Sequence, residues 1–376
     1  MSSKTPINDN QKSAAIFKNP DFYNIAMKYL GISASSLFLI SFFPSCEKVE
    51  KSDMLIFNRI EYIYSIKAQI EKEIWPHFAD NEFNVPLVYY TDSNCYVVNP
   101  TNKFIHLFNP KLVYNKQSLS IYKTTLLDSI PFHMETGVVF GDSCEDYNYK
   151  SPFMYCSSPE MTHNFVPDVT STELWVTMVM HEYFHGFQFK HVQFLEYYTK
   201  SITVSADSLE DLYKNYTWFK EGVDKENELL LKALNSTSQT EVLQIIAKFF
   251  ELRDQRNRQT CEFLSSNIKI VETFFETMEG TARYIEYSLY SKFATMLPDL
   301  KLIKSDSLFH SYEHYKNYSK TKEKWLYLTN KTKYYYATGF NIARLLDKLG
   351  VSYKSRLFNE KVFLDEILRE QIKKGS

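Results

Sequence analysis

From Leu174 to Met180 the chain reads LWVTMVM, apolar nearly all round a helix, and it then continues straight into His181, Glu182 and His185. A helix apolar on every side is one the fold has to bury. Burial would strand three polar side chains in a core unless something inside receives them. Histidines four residues apart lie on one helix face, about one turn from each other. A single metal ion can bridge that pair, and the pattern HEYFH places Glu182 about 100° round the helix from His181, beside the ion and not on it. A start is legible as well. Thr170 and Glu173, in T-S-T-E, have capping-box spacing. A second pair four apart, His310 and His314 in HSYEH, lacks the glutamate and sits among Ser, Lys, Asn and Tyr; it reads as an exposed helix face.

Upstream, residues 47–75 carry Leu55, Ile56, Ile60, Ile63, Ile66 and Ile70 at helical spacings, and Pro76 ends that helix. Between about 86 and 142 the period shortens. PLVYYTD, NCYVVNP, KFIHLF and TGVVFGD are β-branched or aromatic runs bounded by turn residues, and all four read as strands. Residues 143–169, with Pro152, Pro159 and Pro167, read as an irregular loop. Beyond 170 the pattern is almost wholly helical, including an amphipathic helix with an arginine-bearing face at 241–258. Strands first and helices second give an α+β fold. We expect a strand-rich N-terminal α/β subdomain at 47–169 and a helical subdomain at 170–376, with the site between them.

The formal net charge is -2, from 43 basic and 45 acidic residues, which offers none of the basic excess that nucleic-acid binding calls for. The N-terminal stretch Met27–Cys46 has the order of an export signal: Lys28, an apolar run Tyr29–Phe43, then Ser45 and Cys46. Cys46 after a small residue suggests a lipoprotein cysteine. Residues 1–46 are therefore expected to be a leader, with Met27 the true start. The protein would then be exported, to a bacterial cell envelope as a lipoprotein or into the medium, and would meet a membrane only through that anchor. A buried N-terminal helix is the plainer alternative. With Cys46 set aside, Cys95, Cys144, Cys156 and Cys261 allow two disulfides, or none if they are buried thiols.

A catalytic zinc site takes three protein ligands and keeps one position open. Two Glu-Gly pairs downstream could complete it: Glu221 in WFKEGVDKE and Glu279 in ETMEGTARYIEY. The second segment, Glu279-Gly280-Thr281-Ala282-Arg283-Tyr284-Ile285-Glu286-Tyr287, resembles the EGxAxYxEY stretch of the aminopeptidase N family of gluzincin metallopeptidases. The resemblance implies that Glu279 is the third zinc ligand and that Gly280 and Ala282 are small for close helix packing. A second match, Tyr336-Ala337-Thr338-Gly339 opening an apolar helix, resembles the family's YxxG and implies Tyr336 as donor to an oxyanion; Tyr334 and Tyr335 stand beside it. These motifs cover roughly 170–355. The sequence departs from the family in spacing, because 93 residues, 186–278, separate His185 from Glu279. That gap implies an inserted helical layer at about 192–275. No GxMEN exopeptidase signature stands upstream; HMETG, with Glu135, is a faint echo of one.

The resemblance thus implies a zincin-like, thermolysin-like domain binding Zn²⁺ through His181, His185 and Glu279, with Glu182 as general base and Tyr336 as oxyanion donor. The expected reaction is hydrolysis of a peptide or protein substrate. Two alternatives use the same residues: a non-catalytic zincin-fold lipoprotein acting as a binding module, and a zinc hydrolase of a non-peptide amide or ester. Glu276, Arg283 and Glu286 are left between supporting and purely structural roles. The strand TGVVFGD is a candidate for backbone pairing with substrate.

Overall fold

The computed structural model describes residues 51–137 and 152–375, except 203, 266, 320 and 322. The leader expected at Met27–Cys46, Cys144 and residues 138–142 of TGVVFGD lie outside the described residues. Helix α1, Lys51–Glu73, forms on the expected isoleucines, and Ile60, Ile63, Ile66 and Ile70 are fully buried. It covers one face of a six-stranded sheet built from β1 (Leu87–Tyr90), β2 (Asn94–Val98), β3 (Lys111–Lys116), β4 (Leu119–Thr125), β5 (Met134–Gly137) and β6 (Phe153–Ser157). The strand order is β3-β4-β2-β1-β6-β5, with β1 and β6 parallel and the other pairs antiparallel. β1 is buried at every position. Its unbroken LVYY run suits a strand paired on both edges and covered on both faces.

Two expectations in this half need correction. KFIHLF is a helix, α2 (Asn102–Phe108), because the Thr101 side chain accepts from the Phe104 N–H and Asn109 closes the turn at φ 43°. The loop expected at 143–169 contains β6, the central parallel partner of β1, and α3 (Pro159–Phe165), capped by Ser158 and opened by Pro159. Of the two readings left open for the cysteines, the described ones follow the second: Cys95 and Cys156 are buried free thiols and Cys261 is an exposed one. Cys95 opposes Tyr90 across the sheet while Cys156 opposes Tyr89, so the two point to opposite faces. Cys95 packs with Val88, Tyr90, Val97, Phe104 and Phe153, and Cys156 joins the main core.

Helix α4, Thr172–Lys190, lies on the main-core side and is buried through most of its length, as its composition demands. The capping box does not form. Ser171 is the cap, its hydroxyl accepting from the Leu174 N–H at 3.2 Å. Glu173 is drawn instead to the backbone N–H groups of His310 and Tyr312, at 2.8 and 3.0 Å. Those donors are otherwise unmet, and a carboxylate satisfies both. After α4 the chain is helical: α5 (Val192–Ser201), α6 (Ala206–Asn215), α7 (Thr217–Asn235), α8 (Gln239–Leu264), α9 (Lys269–Phe293), α10 (Leu300–Ser305), α11 (Lys324–Tyr327), α12 (Tyr334–Lys348) and α13 (Leu364–Gly375). Among the described residues, no helix is long and apolar enough to cross a membrane.

The pair α9 and α12 positions the site. A Cβ on Gly280 would overlap the backbone of Gly339, and one on Gly339 would overlap the Glu276 carbonyl. The glycines of EGTARY and YATG therefore meet at one crossing, where only hydrogen side chains let the two backbones approach this closely. The arginine face of α8 differs from its sequence appearance. Arg253 and Arg256 are buried, and their guanidiniums meet Glu226 of α7 and Glu272 and Glu276 of α9.

Candidate metal centre

His181 and His185 project from one face of α4 with ring centroids 4.8 Å apart, as the four-residue spacing dictates. Glu279, from α9, faces both. Its Oε2 lies 3.4 Å from His181 Nε2 and 3.3 Å from His185 Nε2. All three donor atoms lie within 4.8 Å of one another. Tetrahedral ligands bonded at about 2.1 Å stand about 3.4 Å apart, which is the carboxylate–imidazole spacing seen here. Glu279 Oε2 is buried and accepts no hydrogen bond of proper geometry. Two nitrogen donors and one carboxylate oxygen converging on a point suit a divalent ion.

The outward side of each ring is held. Glu286 meets His181 Nδ1 in an ion pair. His185 Nδ1 is 2.8 Å from Gln188 Oε1. Gln188 Nε2 donates to Met278 O and Thr281 Oγ1, both at 2.9 Å, which turns its oxygen toward His185. With an acceptor beside each Nδ1, a proton is held on that side of each ring, and Nε2 is the atom left to face Glu279 and to serve a metal ion. Partners of this kind fix the tautomer and raise the basicity of a metal-binding imidazole.

The electrostatics favour a cation. Burial opposes charge on His181, but Glu286 and Glu279 outweigh it and its pKa rises to about 10. His185 rises as well, burial being outweighed chiefly by Glu279. Burial likewise opposes the Glu279 carboxylate, yet His185 and His181 hold it well below the usual carboxylate range. Whatever favours imidazolium here also favours a metal ion.

Glu182 sits next to this group and belongs to no ligand set. Burial pushes its pKa up, toward the range useful in a proton carrier. Its Oε2 accepts from the Thr136 N–H at 3.2 Å, and the Thr136 hydroxyl donates to its carbonyl. Thr136 lies on β5, the edge strand next to β6, so the strand expected beside the helix is there, through its first residues.

Of the three adjacent tyrosines, Tyr336 is the one at the cluster. Its ring lies nearly parallel to the His181 imidazole, centroids 6.1 Å apart. Burial and the neighbouring Glu279 carboxylate push its hydroxyl pKa up, keeping it a donor. Tyr334 instead donates to Glu272 Oε1 at 2.8 Å, and Tyr335 packs on Phe275. The rival ligand Glu221 is exposed on α7 and takes no part. Glu276 is held by both Nη atoms of Arg253, at 2.7 and 2.6 Å. Glu135 is exposed on β5, and His310 and His314 are exposed about a short 3-10 turn. Sequence reasoning missed Gln188 and Thr136. Gln188, three residues after His185, shares its helix face and was within reach of the same periodicity argument. Thr136 was not, because its role depends on how the sheet packs on α4.

Compared with known families, curated proteins and solved structures, the chain matches none.

Proposed function

We propose that the chain is a zinc-dependent peptidase with a zincin-like centre, in which His181, His185 and Glu279 hold the ion. The observation that carries this reading is Glu279 Oε2, buried without a hydrogen bond of its own and aimed at two imidazole nitrogens. When bound, the ion supplies Lewis-acid polarisation of the scissile carbonyl and acidifies water. The chain's own residues do the rest. Glu182 takes the proton of the attacking water and passes it to the leaving amine. Thr136 fixes the Glu182 carboxylate through its N–H. Tyr336 donates its hydroxyl to the developing oxyanion. Glu286 and Gln188 hold the two imidazoles in register.

The test separates metal binding from chemistry. Protein loaded with zinc and freed of excess should retain about one ion per chain, as a three-ligand site implies. Glu182→Gln should retain the ion and lose hydrolysis of a mixed peptide library. Wild-type protein that takes up no zinc, or a Glu182→Gln variant as active as wild type, would end the proposal. The same reading, with the leader at Met27–Cys46, proposes an exported protein tethered through Cys46, for which fractionation of wild type and Cys46→Ser is the direct check.

A further inference from the structure

Four arginines of the described chain are buried, and three have carboxylate partners. Arg59 pairs with Asp306 and Glu160, Arg253 with Glu226 and Glu276, and Arg256 with Glu226 and Glu272. Arg283 is the exception: it is 7 % exposed, and no carboxylate among the described residues lies within ion-pair distance. A buried guanidinium without a counter-charge is costly, and burial pulls its pKa down.

Its placement is specific. Arg283 follows Glu279 by one turn of α9, so both side chains leave the same face. Nη1 is anchored by Trp325 O at 2.8 Å and Thr332 Oγ1 at 3.1 Å. The guanidinium centre lies 4.7 Å from the Trp325 ring and 4.6 Å from the Tyr336 ring. Nε is buried without a partner, and the hydrogen bonds the guanidinium makes among the described residues both run from Nη1. The group is thus fixed by one nitrogen and two aromatic faces while its Nε/Nη2 edge has no hydrogen-bond partner among the described residues. That edge is the fork to which a carboxylate binds through both oxygens. A single ring, Tyr336, links it to His181. Glu279 and Glu286 are the nearest carboxylates in electrostatic influence, and both are committed to the imidazoles.

We propose that Arg283 receives a carboxylate of the substrate, so that the site takes peptides bearing one within a residue or two of the scissile bond. This rests on the peptidase reading and adds the substrate class. Tyr336 then has two faces of use, its hydroxyl toward the reacting carbonyl and its ring against the guanidinium. The carboxylate is a free C-terminus or an acidic side chain, since the fork binds either.

The experiment compares three matched peptide libraries on zinc-loaded full-length protein: free C-termini, amidated C-termini, and amidated C-termini enriched in Asp and Glu. One of the two carboxylate-bearing libraries should be cleaved roughly 10- to 100-fold faster than the plain amidated one, the range for a hydrogen bond to a charged group. Which of them is faster identifies the source. Arg283→Met should bring that ratio close to one, and Arg283→Lys should restore part of it. Arg344→Met should leave the ratio as it is, because Arg344 is half-buried over Tyr287 and Phe340. Equal rates in wild type would overturn the inference. So would an Arg283→Met variant slowed equally on all three libraries, which is what a mere brace for the 325–332 segment predicts. If no library is cleaved, the peptidase reading fails and a binding measurement decides Arg283. Phenylacetate should raise the melting temperature of wild type more than phenylacetamide does, and Arg283→Met should abolish the difference. An equal response of wild type to the two probes would overturn the carboxylate site.

Discussion

Glu276 and Glu279 stand one turn apart on α9, both buried, and the molecule treats them oppositely. Glu276 is gripped by the Arg253 guanidinium and receives the Thr338 hydroxyl at 2.6 Å. Around it two guanidiniums face three carboxylates, Glu226, Glu272 and Glu276. Glu279 has no arginine or lysine partner, only two imidazoles whose outer nitrogens are already held. Buried charge is tolerated when it is paired and hydrogen-bonded. The first glutamate meets that condition within the protein. The second has only the two imidazoles to meet it, and a metal ion could replace their charge. Positions one turn apart on one helix thus separate a charge answered within the fold from a charge that a metal ion could answer.

The largest contrast is between removing the partner of one and removing the other outright. Arg253→Met leaves Glu276 and Glu226 short of a counter-charge in the core and should destabilise the protein by about 3–5 kcal/mol. Protein that remains folded should still bind zinc. Glu279→Gln should collapse zinc affinity, and in metal-free protein should cost less stability than Arg253→Met, since only the two imidazoles lose a partner. Denaturant unfolding and metal analysis on both variants decide the matter. An Arg253→Met variant that loses zinc while keeping its stability would dissolve the distinction.

Next in size is Tyr336→Phe, which removes one hydroxyl beside Glu279 and keeps the ring that touches His181 and Arg283. Zinc content and stability should hold while kcat falls roughly 10²- to 10³-fold, the loss expected for one oxyanion donor. Tyr334→Phe makes the sharper comparison, since its hydroxyl serves the arginine network through Glu272. That change should lower stability and spare kcat. Should Tyr336→Phe leave kcat intact, the oxyanion role would pass to another donor.

What was readable in the sequence follows the same division. The candidate metal site was legible in part. His181, Glu182 and His185 are fixed by one helix period, whereas Glu279 and Tyr336 come only from the resemblance of EGTARY and YATG to family motifs; that the glycines of both meet at one crossing is a property of the fold. The arginine network could not be found. Arg253 and Arg256 look like an exposed polar stripe, and only the packing of α7, α8 and α9 makes them core residues. The sheet was legible where strands are wholly apolar, as at β1 and β2. It was missed at β6, where FMYCS is hidden among prolines and cysteines. It was overcalled at KFIHLF, where a Thr101 cap and a left-handed Asn109 outweigh aromatic β-propensity.

The smallest expected effect concerns protons, and it tests whether the arginine network is balanced. Three carboxylates against two guanidiniums leave one negative charge in excess. Burial, the dominant influence, pushes the Glu276 carboxyl up to about 7 despite Arg253. Glu272 lies below its usual range, where Arg256 and Arg253 outweigh burial. Asp365 of α13, also facing Arg253, is raised by burial as well. A carboxyl whose pKa is higher folded than unfolded binds its proton more tightly in the folded state. Its contribution to stability is therefore fully present below the unfolded value of about 4.3 and is lost as pH rises through about 7. Wild type should lose melting temperature across that window more steeply than Glu276→Gln, whose amide cannot titrate and can still accept from Thr338. Taking the difference between the two proteins at each pH cancels the other titrating groups, Asp365 and the metal-site histidines among them. Parallel curves would show that Glu276 stays ionised throughout and that Arg253 alone sets its state. The network would then differ from the metal centre only in which cation it holds, a guanidinium built into the chain instead of an ion taken from solution.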